Sequence, residues 1–226
     1  MAELILALDT EDAASAFAIL DKVGSARWVK VGSILFVREG PAFVRSLVDR
    51  GLHVFLDLKW HDIPNTVAGA VANARDLGAR MATVHTLGGV DMMAAAAKAA
   101  GSEVHIVGVT VLTSHTPASF GEATGRPGPD LGEDAIRLSR NALGAGLSGV
   151  VCSPSEARAV RTVLGEGPLV VVPGIRRPTD AAGDQHRTAT SQEAAAAGAS
   201  HLVVGRPVLQ AQDPAAAWAE LSYGLE

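Results

Sequence analysis

The chain has 226 residues, which suits one large α/β domain or two small ones. Hydrophobic residues make up 48% and charged residues 19%, so a sizeable core is available and extensive disorder is excluded. The net charge is −5, and no Lys/Arg cluster with interleaved aromatic residues occurs, which argues against a nucleic-acid surface. We see neither a basic, apolar leader nor a membrane-spanning apolar run, and therefore expect a cytoplasmic protein.

Eight short apolar runs, most of them rich in β-branched residues, are predicted as strands. They cover residues 4–9, 28–32, 54–59, 81–86, 105–112, 149–153, 169–175 and 201–206. Most are apolar throughout, which is typical of parallel strands covered on both faces. With helical patterns between them, they predict a (β/α)8 barrel, a single domain over residues 1–226. A doubly wound open sheet is the alternative, but no Gly-rich fingerprint follows the first strand.

Capping signals predict where several helices begin. Pro41 and Pro64 suit first helical positions, because the backbone N–H groups in the first turn of a helix have no acceptor within the helix. Further starts are predicted from the capping pairs Ser153/Glu156 and Thr190/Glu193 and from Asp213-Pro214. Two long connections, residues 113–131 and 176–189, are predicted as lids on the C-terminal face of the barrel.

Polar residues gather at the predicted C-terminal ends of the strands, which converge on one mouth in a barrel. They are Asp9, Lys30, Asp57, Lys59, Thr113, Arg176 and Arg206. Regular strand alternation places Asp57 and Lys59 on the same side. Charges at the end of an apolar strand are costly to bury unless they pair or react, so this cluster, with Asp62 nearby, predicts a catalytic centre. The single cysteine, Cys152, lies in an apolar run and is expected to fill the core.

The segment Gly205-Arg206-Pro207 predicts half of a phosphate site. Glycine lets the backbone approach an anion, a helix start offers free N–H groups, and the guanidinium adds a bidentate cation. Arg176 comes from the neighbouring strand. Gln185 lies in a predicted lid, where its amide could join a phosphate to a second ligand group, although spacing alone favours a solvated loop residue.

These motifs, in this order, resemble the orotidine 5′-phosphate decarboxylase family over essentially the whole chain. The most specific match is Asp-x-Lys-x-x-Asp-Ile-Pro within residues 55–67. The other matching segments are residues 6–9, 29–32, 110–114, 172–176, 183–185 and 203–207. Two departures stand out: Trp60 occupies the place of a smaller aliphatic residue, and Ser191 stands where a proline often follows the threonine.

The resemblance implies conversion of orotidine monophosphate to UMP without a metal or organic cofactor. It implies that Lys59 protonates C6 of the pyrimidine, that Asp57 holds Lys59 beside the departing carboxylate, and that Lys30 links Asp57 to the ribose. Asp62 and Thr66 would act in the site of a neighbouring subunit, so a homodimer is implied. The remaining substrate contacts implied are Asp9 with the ribose, Thr113 and Ser114 with the pyrimidine, Arg176, Gln185, Gly205 and Arg206 with the phosphate, and Pro173.

Two other functions stay open at this point. Hexulose-phosphate synthases and ketogulonate-phosphate decarboxylases resemble the same motif but use Mg²⁺ and a sugar phosphate. They typically carry an acidic residue on the second strand, where this chain has Lys30, and the charge of Lys59 would compete with a metal between Asp57 and Asp62. A non-catalytic nucleotide-binding barrel is the second alternative, and the complete set of buried charges argues against it.

Overall fold

A computed structural model describes residues 2–178, 180 and 187–225 of the chain. Eight parallel strands follow one another around a closed barrel, and the first pairs with the last. They are β1 (Glu3–Ala7), β2 (Trp28–Gly32), β3 (His53–Trp60), β4 (Met81–His85), β5 (His105–Val109), β6 (Gly149–Val151), β7 (Leu169–Val172) and β8 (His201–Val204). The predicted barrel is confirmed, and the open sheet is excluded because β1 and β8 close the ring.

Helices connect the strands on the outside of the barrel. Those in the described residues are α1 (Ala13–Val23), α2 (Ser33–Asp49), α3 (Pro64–Asp76), α4 (Val90–Ala100), α5 (Pro117–Thr124), α6 (Leu131–Gly144), α7 (Pro154–Leu164), α8 (Ser191–Ala196), α9 (Arg206–Leu209) and α10 (Pro214–Ser222). The predicted starts at Pro64, Ser153, Thr190 and Asp213 are confirmed, the middle two as reciprocal capping boxes. The assignment of residues 1–226 to one domain stays a prediction.

Two segments contain helical structure that the sequence did not predict. Pro41 opens a helical segment as predicted, directly after Gly40 with φ 70°, but a further helical segment precedes it, and the two join at a kink within α2. The connection 113–131, predicted as a lid, contains the helix α5. Thr116 caps that helix in a box with Ser119, and Pro117 occupies its first turn. Half of the other predicted lid, residues 179 and 181–186, lies outside the described residues.

Apolar side chains fill the inside of the barrel below the mouth. This inner cluster is buried and consists of Ile5, Ala7, Phe55, Met81, Val107, Val171 and Val203. A second, larger cluster packs the helices against the outer faces of the strands. Because the interior is solid, a ligand has access to the barrel only at its ends. The strands β5 and β7 end at Val109 and Val172, three residues earlier than predicted, so the polar residues after them lie on loops.

Ser191 gives a direct test of helix-start chemistry. It is the first residue of α8, it is 2% exposed, and its hydroxyl oxygen has no hydrogen-bond partner among the residues that the structure describes. The preceding Thr190 has φ −74° and ψ 163°, a conformation that a following proline tolerates.

We predict that Ser191→Pro raises the free energy of unfolding by about 1 kcal/mol, because it removes an unpaired hydroxyl and restricts the unfolded chain. Urea titration followed by circular dichroism measures the change. Ser191→Ala is the matched control, since it removes the hydroxyl without the ring, and it should give only part of the gain. A lower urea midpoint for the proline variant would contradict the prediction.

Candidate active site

A cavity of about 600 Å³ opens at the C-terminal ends of the strands. The sequence-predicted residues that line it are Asp9, Lys30, Asp57, Lys59, Thr113, Pro173, Arg176, Gly205 and Arg206. They follow or end β1, β2, β3, β5, β7 and β8, so residues distant in the sequence meet at one mouth. The floor of the cavity includes Ala7, Phe55 and Val203 of the apolar inner cluster.

Carboxylates and ammonium groups alternate along one side of this cavity. Lys59 Nζ lies 2.8 and 2.9 Å from the two carboxylate oxygens of Asp57. Lys30 Nζ lies 3.7 Å from Asp57 Oδ2 and donates to Asp9 Oδ1 at 3.0 Å. The order is therefore Asp9, Lys30, Asp57, Lys59, which we call the charge array. Each inner member has a partner of opposite charge on both sides, which offsets the cost of desolvation.

The two inner side chains of the charge array are more buried than the two outer ones. The side chains of Lys30 and Asp57 are 11% and 13% exposed, whereas those of Lys59 and Asp9 are 40% and 55% exposed. Burial raises the pKa of Asp57, but the charges of Lys30 and Lys59 and hydrogen bonds outweigh it, so the pKa lies below its usual value. Asp57 is therefore a carboxylate at neutral pH and can hold the Lys59 ammonium group beside the cavity.

An irregularity in β3 sets the position of Lys59. The pairing of β3 with β4 shifts between Leu56 and Trp60, so three β3 residues lie opposite one residue of β4. Lys59 has φ 51° and is the only described residue other than glycine with a positive φ. The expected regular alternation is therefore wrong here, although Asp57 and Lys59 do both line the cavity. A bulge of this kind re-aims a side chain at the end of a strand.

Thr83 was missed by the sequence analysis. It is the β4 residue opposite the bulge, it is fully buried, and its hydroxyl contacts both ends of the irregular segment. It accepts from the backbone N–H of Lys59 at 2.8 Å and donates to Asp57 Oδ1 at 3.0 Å. The available signal was a lone hydroxyl in the apolar run of β4, but only the pairing with β3 reveals its partners.

The residues predicted to hold phosphate follow β7 and β8, and Gly205 lies beside Asp9 of the charge array. Arg176 is buried and donates from Nη1 to the carbonyl oxygen of Ile175 at 2.8 Å. Arg206 begins α9, directly after Gly205. A Cβ at Gly205 would lie 3.3 Å from Ala7 Cβ, so glycine keeps the ends of β8 and β1 close. Gln185, the remaining predicted phosphate contact, lies outside the described residues.

Other predicted site residues are not brought into the cavity of this chain. Asp62, Thr66 and Ser114 are exposed and do not line it. Asp62 Oδ1 accepts from the backbone N–H of Ile63 at 2.6 Å. Large apolar side chains are also exposed in the segments that follow β2, β3 and β4. They are Ile34, Val37, Ile63, Leu87 and Val90.

Cys152 lines the cavity wall and is 1% exposed. Burial raises the pKa of its thiol, which keeps it protonated. This agrees with its expected role as a packing residue. Within residues 2–178, 180 and 187–225, no cluster of His, Cys, Asp and Glu suited to a metal ion is found. Over the same residues, no helix is both long and apolar enough to span a membrane.

Fold and cavity together define a (β/α)8-barrel enzyme whose mouth carries both the charge array and two arginines. The model of the Orotidine 5′-phosphate decarboxylase / HUMPS family matches residues 2–221. The chain belongs to this family.

Individual relatives agree with this family. The chain is 51% identical to "Orotidine 5′-phosphate decarboxylase" of Alkalilimnicola ehrlichii, over 98% of this chain and 95% of that protein. It is 52% identical to the protein of the same name from an Anaeromyxobacter species, over 87% and 86% of the two chains. The crystal structure of orotidine 5′-phosphate decarboxylase from Lactobacillus acidophilus superimposes with a TM-score of 0.89 at 34% identity and covers all of both chains.

Proposed function

We propose that this chain decarboxylates orotidine 5′-monophosphate to UMP in pyrimidine biosynthesis, without a metal or organic cofactor. The observation that carries the proposal is the charge array, in which Lys59 Nζ projects into the cavity while Asp57 holds it at 2.8 Å. The name shared by relatives at about half identity supports the same substrate.

In the proposed reaction, Lys59 acts on the carbon that loses CO2. Breaking the bond between C6 and the carboxylate leaves the electron pair on C6, where the pyrimidine has no conventional electron sink. A positioned ammonium group stabilises that developing charge and then transfers a proton from Nζ to C6. The neutral amine takes a proton back from solvent, which the partly exposed side chain of Lys59 permits.

Asp57 and Lys30 keep that ammonium group in place. Asp57 is ionised because two lysines flank it, and we assign its carboxylate the place beside the departing carboxylate of the substrate. Lys30 joins Asp57 to Asp9. We assign Lys30 and Asp9 as the residues that bind the ribose hydroxyl groups. The array therefore links the reacting end of the nucleotide to its sugar through direct contacts.

Phosphate binding would take place where β7 and β8 end. We assign it to Arg176, Gly205 and Arg206, with Gln185 as a further contact that also reaches the base. Thr113 and Ser114, next to each other after β5, are assigned to the pyrimidine, and Pro173 lines the same cavity. Binding energy from a group far from C6 can order the loops and align the base with Lys59.

The Mg²⁺-dependent sugar-phosphate enzymes are the alternative within the superfamily. Lys30 argues against them, because its ammonium group lies 3.7 Å from Asp57 Oδ2 and competes with a divalent cation for that carboxylate. Lys59 occupies both oxygens of the same carboxylate. A metal would have to displace both lysines to reach Asp57.

We further propose a homodimer in which Asp62 and Thr66 complete the partner's site. Both are exposed and lie outside the cavity of their own chain, which suits residues that face another subunit. The exposed apolar side chains nearby, Ile34 at 76% and Val37 at 83% among them, would be covered by the same contact.

We predict that Lys59→Ala lowers the turnover of orotidine monophosphate by about 10²- to 10⁴-fold, the range expected for loss of a positioned acid. UMP binding should change only a few-fold, because the phosphate contacts remain. The measurement is the change in substrate absorbance with chelator-treated protein, together with calorimetric UMP binding. Lys22→Ala, which removes an exposed lysine of α1, is the control. Near-normal turnover by Lys59→Ala would refute the mechanism, and turnover lost on chelation alone would favour the Mg²⁺ alternative.

We predict that Lys59→Ala and Asp62→Ala subunits restore activity when they assemble together. Random pairing makes half of the dimers mixed, and one site of each mixed dimer is intact, so about a quarter of wild-type activity is expected. Co-expression provides this random population, and mixed dimers then isolated through two different tags should have about half of wild-type activity. Lys59→Ala paired with Asp57→Ala is the control, because both substitutions fall in the same half-site and no intact site forms. Activity no higher than in this control would contradict sharing across the interface.

A further inference from the structure

Thr83 contacts both Lys59 and Asp57, but it does not line the cavity. It is 0% exposed, it is absent from the cavity wall, and it lies in the middle of β4 between Ala82 and Val84. Its hydroxyl group meets Lys59 through the backbone and Asp57 through the side chain. A substrate in the cavity would therefore meet Lys59 and Asp57, but not Thr83.

The protons of this small network can be assigned from chemistry alone. The Lys59 backbone N–H can only donate, so Thr83 Oγ1 is its acceptor at 2.8 Å. The single hydroxyl proton is then available to Asp57 Oδ1 at 3.0 Å, where an ionised carboxylate accepts it. Both bonds are satisfied at once, and the hydroxyl group has one orientation that achieves this.

The bulge explains why a side chain is needed at this point. Three β3 residues between Leu56 and Trp60 lie opposite Thr83 alone, so backbone pairing is interrupted there. Lys59, with φ 51°, has left the extended conformation, and its N–H bonds to a side chain instead of to the neighbouring strand. A non-glycine residue in this region costs about 1–3 kcal/mol and persists only where its surroundings hold it.

We propose that Thr83 is the positioning residue of this active site, its hydroxyl group holding the Lys59 backbone and the Asp57 carboxylate in one fixed relation. This inference rests on the proposed decarboxylation and adds to it the residue that acts through Lys59 and Asp57. Lys59 Nζ in turn donates to the two carboxylate oxygens of Asp57 at 2.8 and 2.9 Å. The backbone N–H and the side-chain ammonium group of Lys59 are therefore connected through the Thr83 hydroxyl and the Asp57 carboxylate.

The same bond favours the charged form of Asp57. The Thr83 hydroxyl is one of the groups that lower the pKa of Asp57, after the charges of Lys30 and Lys59. Its removal should raise that pKa, so a larger fraction of Asp57 would be protonated as the pH falls. A protonated Asp57 holds the Lys59 ammonium group less well, and the acid side of the pH–rate profile should move to higher pH.

The test is Thr83→Val, which keeps the branched shape and removes the hydroxyl. We expect kcat to fall by about 10- to 100-fold with KM changed less than about threefold, since the substrate contacts are untouched. The acid limb of kcat should move up by about 0.5–1 pH unit. Thr83→Ser, which retains the hydroxyl, should restore most of kcat. Should the valine variant fail to fold, Thr83→Ala removes the same hydroxyl without filling its space and carries the same expectations.

A matched control separates positioning from general loss of a buried hydroxyl. Thr86→Val removes another buried threonine hydroxyl, which donates to the Val109 carbonyl oxygen at 2.8 Å. It should lower the free energy of unfolding without moving the pH–rate profile. Thr83→Val with wild-type kcat and an unshifted acid limb would overturn the proposal, as would an equal loss of kcat in Thr86→Val.

A second readout does not depend on turnover. The Asp57 carboxyl can be titrated by ¹³C NMR of aspartate-labelled protein and assigned with Asp57→Asn. A raised pKa in Thr83→Val, absent in Thr86→Val, supports the positioning role even if the wild-type protein leaves orotidine monophosphate unchanged. That last result would refute the proposed function alone. An Asp57 pKa that is equal in wild type and Thr83→Val would refute the role of Thr83 alone.

Discussion

The structure of the mouth depends on placing Asp57 between two lysines. Asp57 and Lys30 are largely removed from water, and either charge left without the other would carry a large desolvation penalty. Two neighbouring strands provide the solution, because the register of β2 with β3 places Lys30 beside Phe55 and Gly32 beside Asp57. Small Gly32 leaves room there, since a Cβ at that position would lie 3.1 Å from Lys30 Nζ.

The apolar packing of the barrel and its polar cavity lie at different levels along the barrel axis. Below the mouth, apolar residues such as Phe55 and Val171 pack the interior and hold the strands in register. Above them, the same strands and the loops after them end in charged or polar residues that line the cavity. β2 and β3 supply Lys30, Asp57 and Lys59, and the residues after β7 and β8 supply the arginines. A rigid scaffold thus spaces two kinds of ligand contact that neither strand pair could arrange alone.

Bulge and charge array are coupled through one hydroxyl group. An uninterrupted β3 would continue its ladder with β4, and Lys59 would keep an extended backbone. The observed chain departs from that path at the residue we assign as proton donor, and the departure is held by Thr83. Local strain at a reacting residue is a common feature of active sites, and here its source is visible as a specific pairing shift.

The sequence by itself determined the strand count, several helix starts and the polar residues that gather at the mouth. These depend on local rules: continuous apolar runs for buried parallel strands, and a cap followed by proline or a capping partner for helices such as α7 and α8. The resemblance of the central motif to one family then pointed to the charges that matter, Asp57 and Lys59 above all, while Asp62 and Thr66 stay predictions about a partner subunit.

Only the tertiary structure decided how those charges are held. The shift between β3 and β4 and the bonds of Thr83 depend on contacts between segments that local patterns do not relate. Thr83 and Lys59 are 24 positions apart, and nothing in either neighbourhood marks them as partners. Strand pairing in a closed barrel brings them to 2.8 Å because each strand must bond to the next, and the irregular end of β3 leaves the Lys59 N–H for a side chain to bind.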